Sequence, residues 1–194
     1  MRYAIPLTLA MLATPVWAGE NLQLDAHEHG VGHLDIAIDG NTVLMELHAP
    51  GADIVGFEHA AKSAQDRAAV DAAVAMLARP LDLFALPAKA ECTVTQASAS
   101  LESGHDHEDH DDHAHDEDHA AHDDHSDSDA GHTEFHAAYE LTCANPGAIG
   151  EITFAYFTTF ENAREVEVQI VTNAGAKAFE VERDAPTLDL RGMF

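Results

Sequence analysis

The sequence predicts an α+β fold: a mainly antiparallel β domain with one packed helix and a long disordered His/Asp-rich loop inserted between two strands. Short alternations of apolar and polar residues recur along the chain, which is the pattern of half-buried strands. Only the stretch between Ser63 and Pro80 has pronounced helical spacing. Residues 102–132 lack the apolar side chains that a packed element needs.

The first residues have the pattern of a secretory signal peptide. Arg2 is followed by an apolar run and by Val16-Trp17-Ala18, with small residues where a signal peptidase requires them. The run is shorter than the roughly 20 residues that cross a bilayer, which disfavours the alternative of a membrane anchor. We expect cleavage near Ala18, a single domain over residues 19–194 in the periplasm, and no stable membrane insertion.

Residues 31–49 predict two half-buried strands joined by a tight turn at Gly40. Leu34, Ile36 and Ile38 lie on one side of the first strand.

Residues 50–59 follow as a predicted loop, and an amphipathic helix of about four turns comes next. Ser63 and Asp66 resemble a capping box, and Pro80 cannot continue the helix. The apolar positions at helical spacing are Val70, Val74 and Leu77.

Residues 92–99 and 134–144 predict two further strands, and the simplest topology joins them as a hairpin with an enlarged loop. Three more strands are predicted downstream, with a helical turn at residues 158–163 between the first two. These strands cover residues 151–156, 165–172 and 178–183.

The two cysteines, Cys92 and Cys143, stand on the strands that flank the loop. Because an oxidising compartment favours disulfides, we expect them to pair. Two free buried thiols are the first alternative. A thiolate metal pair is the second, although the sequence has no Cys-x-x-Cys motif.

The formal net charge is -26, and no Lys or Arg occurs between Lys89 and Arg164. Repulsion argues against nucleic acid and anionic membranes as partners. Metal ions are the natural partners of such a chain.

Residues 104–131, which we call the histidine arm, contain no Leu, Ile, Val, Met or aromatic residue. Such a segment cannot offset its own chain entropy and is expected to be disordered without a ligand. Two more histidines, His132 and His136, follow as the next strand begins. The histidines of the arm are His105, His107, His110, His113, His115, His119, His122 and His125.

Neutral imidazoles suit Zn(II), Cu(II) and Ni(II), and the interleaved carboxylates complete their coordination shells. Three or four ligands per zinc give roughly two or three ions for this stretch. Many equivalent ligand sets favour a buffer or delivery arm over a catalytic centre, which needs a fixed open position. A solvated acidic loop and a pH-sensing tail are the alternatives. Calcium is disfavoured because no EF-hand pattern is present.

A smaller group of candidate ligands lies outside the arm. It contains His27, His29, His33, Glu58 and His59, while His48 is a lone histidine of the kind that is more often surface or satisfied core. We hypothesise that His29 or His33 converges with His59 and His136 on a defined zinc site of the folded domain.

Several short motifs, in this order, resemble the ZrgA-type periplasmic zinc-uptake proteins of Gram-negative bacteria. They are His27-Glu28-His29-Gly30 before LDIAIDG, the run IVGFEH ending at His59, the His-rich insert between two cysteines, and EVEVQIVT at residues 165–172. The resemblance implies a periplasmic protein that binds zinc and assists its import with an inner-membrane transport system. It marks His27, His29, Glu58, His59 and His136 as positions of interest.

The sequence therefore predicts a periplasmic zinc-binding protein that collects, buffers or delivers Zn(II) through the histidine arm. A copper or nickel binding or resistance protein and an acidic pH-responsive surface protein are the alternatives. No enzyme is expected, because the chain lacks His-Glu-x-x-His, Gly-x-Ser-x-Gly and phosphate-binding glycine motifs.

Overall fold

The structure, a computed structural model, describes residues 28–103 and 132–193. The predicted signal peptide, His27 and the histidine arm lie outside the described residues. The strands are β1 (Val31–Asp39), β2 (Thr42–Pro50), β3 (Phe84–Ala85), β4 (Cys92–Ser103), β5 (Thr133–Cys143), β6 (Glu151–Phe154), β7 (Glu165–Thr172), β8 (Gly175–Glu182) and β9 (Thr187–Asp189). The α-helices are α1 (Gly51–Val55), α2 (Ala64–Leu77), α3 (Pro80–Leu83) and α4 (Tyr156–Thr159).

The main element is a six-stranded sheet in the order β4-β5-β2-β1-β7-β8. Its neighbours pair antiparallel except β1 and β7, which run parallel. The predicted α+β class with mainly antiparallel strands is confirmed. The parallel pair was not predicted, because it joins strands far apart in the chain: the connection from β1 to β7 includes β2 to β6 and all four α-helices.

One face of this sheet forms the hydrophobic core. Alternate residues of β1, β2, β5 and β7 are buried, as the period-2 pattern predicts. A second sheet, β3-β6-β9, and the helices supply the other side of the core. The opposite face of the six-stranded sheet carries mostly polar and charged side chains.

The predicted helix is confirmed as α2. The Ser63 hydroxyl accepts a hydrogen bond from the Asp66 N–H, and the Asp66 carboxylate accepts one from the Ser63 N–H, completing a capping box.

Several local predictions differ from the structure. Residues 51–55 of the predicted loop form the short helix α1, and the helical turn predicted at residues 158–163 begins earlier, as α4. The three-residue strand β9 and the two-residue β3 were missed, because elements this short have no readable period.

The β4–β5 hairpin is confirmed, and it orients the disulfide and the histidine arm. Cys92 pairs with Cys143 at one end of the hairpin, where the predicted disulfide is present. Ser103 pairs with Thr133 at the other end, so that β4 extends past the predicted strand end into residues 102 and 103. The arm therefore leaves and re-enters the sheet at the end opposite to the disulfide.

Candidate metal centre

Two groups of imidazoles and carboxylates lie close together near the end of the sheet to which the arm is attached. Site 1 consists of His29, Glu58 and His132, and site 2 consists of His48, Glu134 and His136. Within each group, one potential ligand atom per residue lies within 4.8 Å of the others. The metal search covers residues 28–103 and 132–193 only.

In site 1, a carboxylate lies between two imidazoles. Oε2 of Glu58 is 2.7 Å from Nδ1 of His132 and 3.1 Å from Nε2 of His29. The Glu58 side chain is 15% exposed, whereas His29 and His132 are 63% and 64% exposed. Oε1 of Glu58 is buried and, among the described residues, accepts no hydrogen bond of its own, although Nε2 of His29 lies 3.1 Å away.

Gly51 allows the segment that carries Glu58 to lie against the start of β5. A Cβ atom at this position would be 2.4 Å from Oγ1 of Thr133 and 2.7 Å from the carbonyl oxygen of Phe57. Only glycine permits this approach. The close packing therefore brings Glu58 beside His132, the residue before Thr133.

His29 is held by the turn before β1. The N–H of Gly30 donates to Oδ1 of Asp53 at 2.8 Å, and the carbonyl of Gly30 accepts from the N–H groups of Arg164 and Glu165. Gly30 has a φ of 94°, which L side chains rarely adopt. The position of His29 therefore depends on β7 and on the buried Asp53.

Asp53 is a buried carboxyl group close to site 1. Burial raises its pKa above the ordinary value of 3.8, while the Gly30 N–H and the nearby His29 act in the opposite direction. The buried phenol of Tyr156 also has a raised pKa, first through burial and then through the negative charge of Asp53. These effects indicate an apolar environment around a carboxylate that lies close to the ligands.

Site 2 is formed by strand register. His48 of β2 pairs directly with His136 of β5, and their rings meet edge to face with centroids 4.2 Å apart. Glu134 lies two residues before His136 and thus on the same face of the sheet. Its Oε2 is 2.7 Å from Nε2 of His136 and 3.6 Å from Nδ1 of His48.

Two more carboxylates border site 2. Oε2 of Glu102 is 3.8 Å from Nε2 of His136, and Oε1 of Glu46 is 3.5 Å from Nε2 of His48. Glu102 also pairs directly with Glu134 across β4 and β5.

The hypothesised convergence of His29 or His33 with His59 and His136 is wrong. His29 joins Glu58 and His132, whereas His136 lies in site 2. His33 contacts Glu167 at 3.3 Å, and His59 stacks on Phe57 with centroids 4.6 Å apart. Glu58 thus enters a cluster while its sequence neighbour His59 does not.

Sequence reasoning missed Glu134 and gave little weight to His48. One signal was available: His132, Glu134 and His136 alternate on a predicted strand, and alternate residues of a strand share a face. No local signal connects His48 to His136, because their pairing depends on the register of β2 against β5.

Both groups suit a tetrahedral transition-metal ion. Zinc binds imidazole nitrogen and carboxylate oxygen at about 2.0–2.2 Å, so its ligand atoms lie about 3.3 Å from one another. The donor distances in sites 1 and 2 bracket this value, and small side-chain rotations would close either group around an ion. Hard ions such as calcium prefer oxygen ligands alone.

An α+β domain with two carboxylate–imidazole groups near one end of its main sheet belongs to the class of proteins whose side-chain clusters are compatible with binding transition-metal ions. Comparison with known families identifies the family to which the chain belongs. The model of the ZrgA family zinc uptake protein matches residues 26–190. The chain belongs to this family, and the suspected resemblance is confirmed. None of the curated proteins compared with the chain matches it.

The family is one of zinc uptake proteins and is not an enzyme family. In the part of the chain that the structure describes, no helix has the length and apolar character needed to cross a membrane.

Proposed function

We propose that this zinc uptake protein acts in the periplasm, where the histidine arm collects Zn(II) and site 1 holds one ion for delivery to an inner-membrane transport system. The observation that carries the proposal is the position of the Glu58 carboxylate between His132 and His29, at 2.7 and 3.1 Å. Two imidazoles and one carboxylate are a known ligand set of zinc, with a fourth position left for water or another donor.

The position of His132 connects the arm to site 1. His132 is the first described residue after the arm, and it stands seven residues after His125, the last histidine of the arm. An ion bound at His125 would therefore have at most about 25 Å of extended chain between it and His132. Exchange through neighbouring ligands of the same chemical type fits a protein that passes its ion on.

Burial of Glu58 supports an ordered site over a surface ion pair. A buried carboxylate oxygen without a hydrogen bond carries a desolvation cost, and Oε1 of Glu58 is such an atom. A bound Zn(II) would offset this cost by direct ligation. The negative charge of Asp53 beneath the site adds attraction for a divalent cation.

The Cys92–Cys143 disulfide supports export, because disulfides persist in oxidising compartments such as the periplasm. Export agrees with the signal peptide expected over residues 1–18.

The test removes site 1 from the full chain by the double substitution E58Q/H132Q. We expect one zinc-binding event of the folded domain to weaken by at least about tenfold, the equivalent of one lost charge-assisted interaction of about 1.4 kcal/mol. Zinc affinity is measured by competition with a chromophoric chelator. H59Q is the matched control, because His59 neighbours Glu58 but stacks on Phe57 outside the site.

Replacing the eight histidines between residues 105 and 125 by Asn tests the arm. We expect this full-length variant to bind fewer ions but to retain those that the folded domain holds. Binding of every ion should weaken below about pH 6, where protons compete for imidazole nitrogen. Zinc binding in E58Q/H132Q equal to that in H59Q, or an unchanged ion count in the arm variant, would contradict the proposal.

A further inference from the structure

We infer that site 2 is a second zinc site of the folded domain, with Glu134, His48 and His136 as ligands and Glu102 as the fourth. The inference does not depend on the occupation of site 1. It rests on the register of three strands, on the distances among five side chains, and on the charge that they bring together.

Register places the ligands on one face of the sheet. His48 and His136 are direct partners across β2 and β5, while Glu102 and Glu134 are direct partners across β4 and β5. Because Glu134 and His136 are two residues apart, all four side chains project from the same face. Three adjacent strands thus supply two nitrogen and two oxygen donors.

The donor atoms already face one another. Oε2 of Glu134 is 2.7 Å from Nε2 of His136 and 3.6 Å from Nδ1 of His48, and Oε2 of Glu102 is 3.8 Å from Nε2 of His136. A tetrahedral zinc requires separations of about 3.3 Å. The ion would replace the direct contact between Glu134 and His136 with two metal–ligand bonds.

Glu46 acts as a positioning residue for His48. Its Oε1 is 3.5 Å from Nε2 of His48, the nitrogen that faces away from Glu134. When Nδ1 of His48 binds the metal, Nε2 carries the proton and its N–H points toward the carboxylate of Glu46. Carboxylates in this outer position fix the tautomer and orientation of metal-binding histidines.

The negative charges of site 2 favour the binding of a cation. Like charges placed directly opposite each other on antiparallel strands are destabilising, and Glu102 and Glu134 form such a pair. A divalent ion that binds both carboxylates relieves this repulsion directly, and two imidazoles select zinc over hard cations.

The experiment uses the full chain with the eight histidines between residues 105 and 125 replaced by Asn, which removes the background of the arm. Zinc is titrated against a chromophoric chelator, and Co(II) replaces zinc to report tetrahedral coordination by its visible absorption. We expect two ions per chain, and one ion per chain in H48Q and in H136Q. The matched control is H33Q, because His33 pairs with His48 on the same face but contacts Glu167 instead.

Two ions per chain in both H48Q and H136Q would overturn the inference. The arm variant could instead bind only one ion. If that ion is retained in H48Q and in H136Q but lost in E58Q/H132Q, the inference is overturned and the proposed function stays intact. If the arm variant binds only one ion, and that ion is lost in H48Q but retained in E58Q/H132Q, the assignment of site 1 is overturned instead. The two proposals therefore fail separately.

If H48Q and H136Q do not fold, a second measurement tests the inference. Glu102 is 60% exposed, so E102Q removes a charge without a packing change. We expect metal-free E102Q to melt at a higher temperature than its parent, because the Glu102–Glu134 repulsion is gone, and to bind zinc at site 2 about tenfold more weakly. Unchanged zinc affinity in E102Q would remove Glu102 from the ligand set, and unchanged affinity at both sites in a folded E134Q/E102Q variant would overturn the inference.

Discussion

Sites 1 and 2 both bring two imidazoles beside a glutamate, and site 2 has Glu102 as a further carboxylate. The fold holds the two groups in different ways. The ligands of site 1 come from a turn, from the segment after α1, and from the residue before β5. Those of site 2 come from paired strands. The histidines of site 1 are 63% and 64% exposed, against 31% and 28% in site 2.

For the two proposed sites, this difference predicts different rates of ion exchange. Strand ligands keep their separation through backbone hydrogen bonds and lose little side-chain entropy when they bind an ion. Exposed ligands on turns lose more, and they remain accessible to competing ligands. We therefore expect faster exchange at site 1, beside the arm, than at site 2.

The largest expected effect comes from removing the disulfide. We expect its loss to affect site 2 more than site 1. In the chain-entropy model, C92S/C143S lowers the free energy of unfolding by about 4 kcal/mol, because the bond closes a loop of 51 residues. β4 is an edge strand that supplies Glu102 to site 2 but nothing to site 1. Zinc affinity should therefore fall more at site 2 than at site 1.

Denaturant unfolding measures the loss of stability, and zinc competition measures both affinities. Reduction of the parent protein by a non-chelating phosphine provides a matched comparison without substitutions. An equal loss at both sites would contradict the assignment of β4 to site 2 alone.

An intermediate effect is expected at Gly51, which positions only site 1. In G51A, the added Cβ would lie 2.4 Å from Oγ1 of Thr133, and relief of such overpacking typically costs about 1–3 kcal/mol of stability. Glu58 should move away from His132, so that zinc affinity falls at site 1 and not at site 2.

Urea unfolding and zinc competition check this prediction. G147A is the control, because a Cβ at Gly147 meets nothing within 4 Å. Equal zinc affinity of G51A and G147A at site 1 would show that close packing at Gly51 does not position the site.

The smallest effect is expected from D53N, which tests the charge beneath site 1. Burial raises the pKa of Asp53 above 3.8. Between pH 3.8 and that raised value, the folded protein binds more protons at this group than the unfolded chain does. The contribution of Asp53 to stability therefore falls as the pH rises through this window. Asn has no such dependence and keeps an acceptor for the Gly30 N–H.

The stability of metal-free D53N relative to the parent should thus rise with pH across the window and then level off. Zinc affinity at neutral pH should fall slightly at site 1, where a negative charge is lost, and stay unchanged at site 2. Urea unfolding from pH 3.5 to 7 measures the first effect. A difference in stability that does not vary with pH would contradict the raised pKa of Asp53. A difference that still rises at pH 7 would show that Asp53 stays protonated in the folded protein.

Much of the fold followed from local pattern. The alternation in residues 31–49 and 165–172 predicted three strands, and the Ser63 capping box predicted the start of α2. Local pattern failed where tertiary packing determines the secondary structure or the strand pairing. Residues 51–55 of the predicted loop form α1, and β1 pairs in parallel with β7.

The sequence by itself determined the kind of chemistry: imidazole and carboxylate donors in excess, a net charge of -26, and two cysteines able to pair. These are properties of composition and spacing, which need no fold. Only the tertiary structure decided which donors meet. Glu58 and His132 come together through close packing at Gly51, and His48 meets His136 through the register of β2 and β5. Both contacts join residues far apart in the chain. Burial of the core face fixes the second contact, because a shift of one residue in strand register would turn the residues of site 2 to the other side of the sheet.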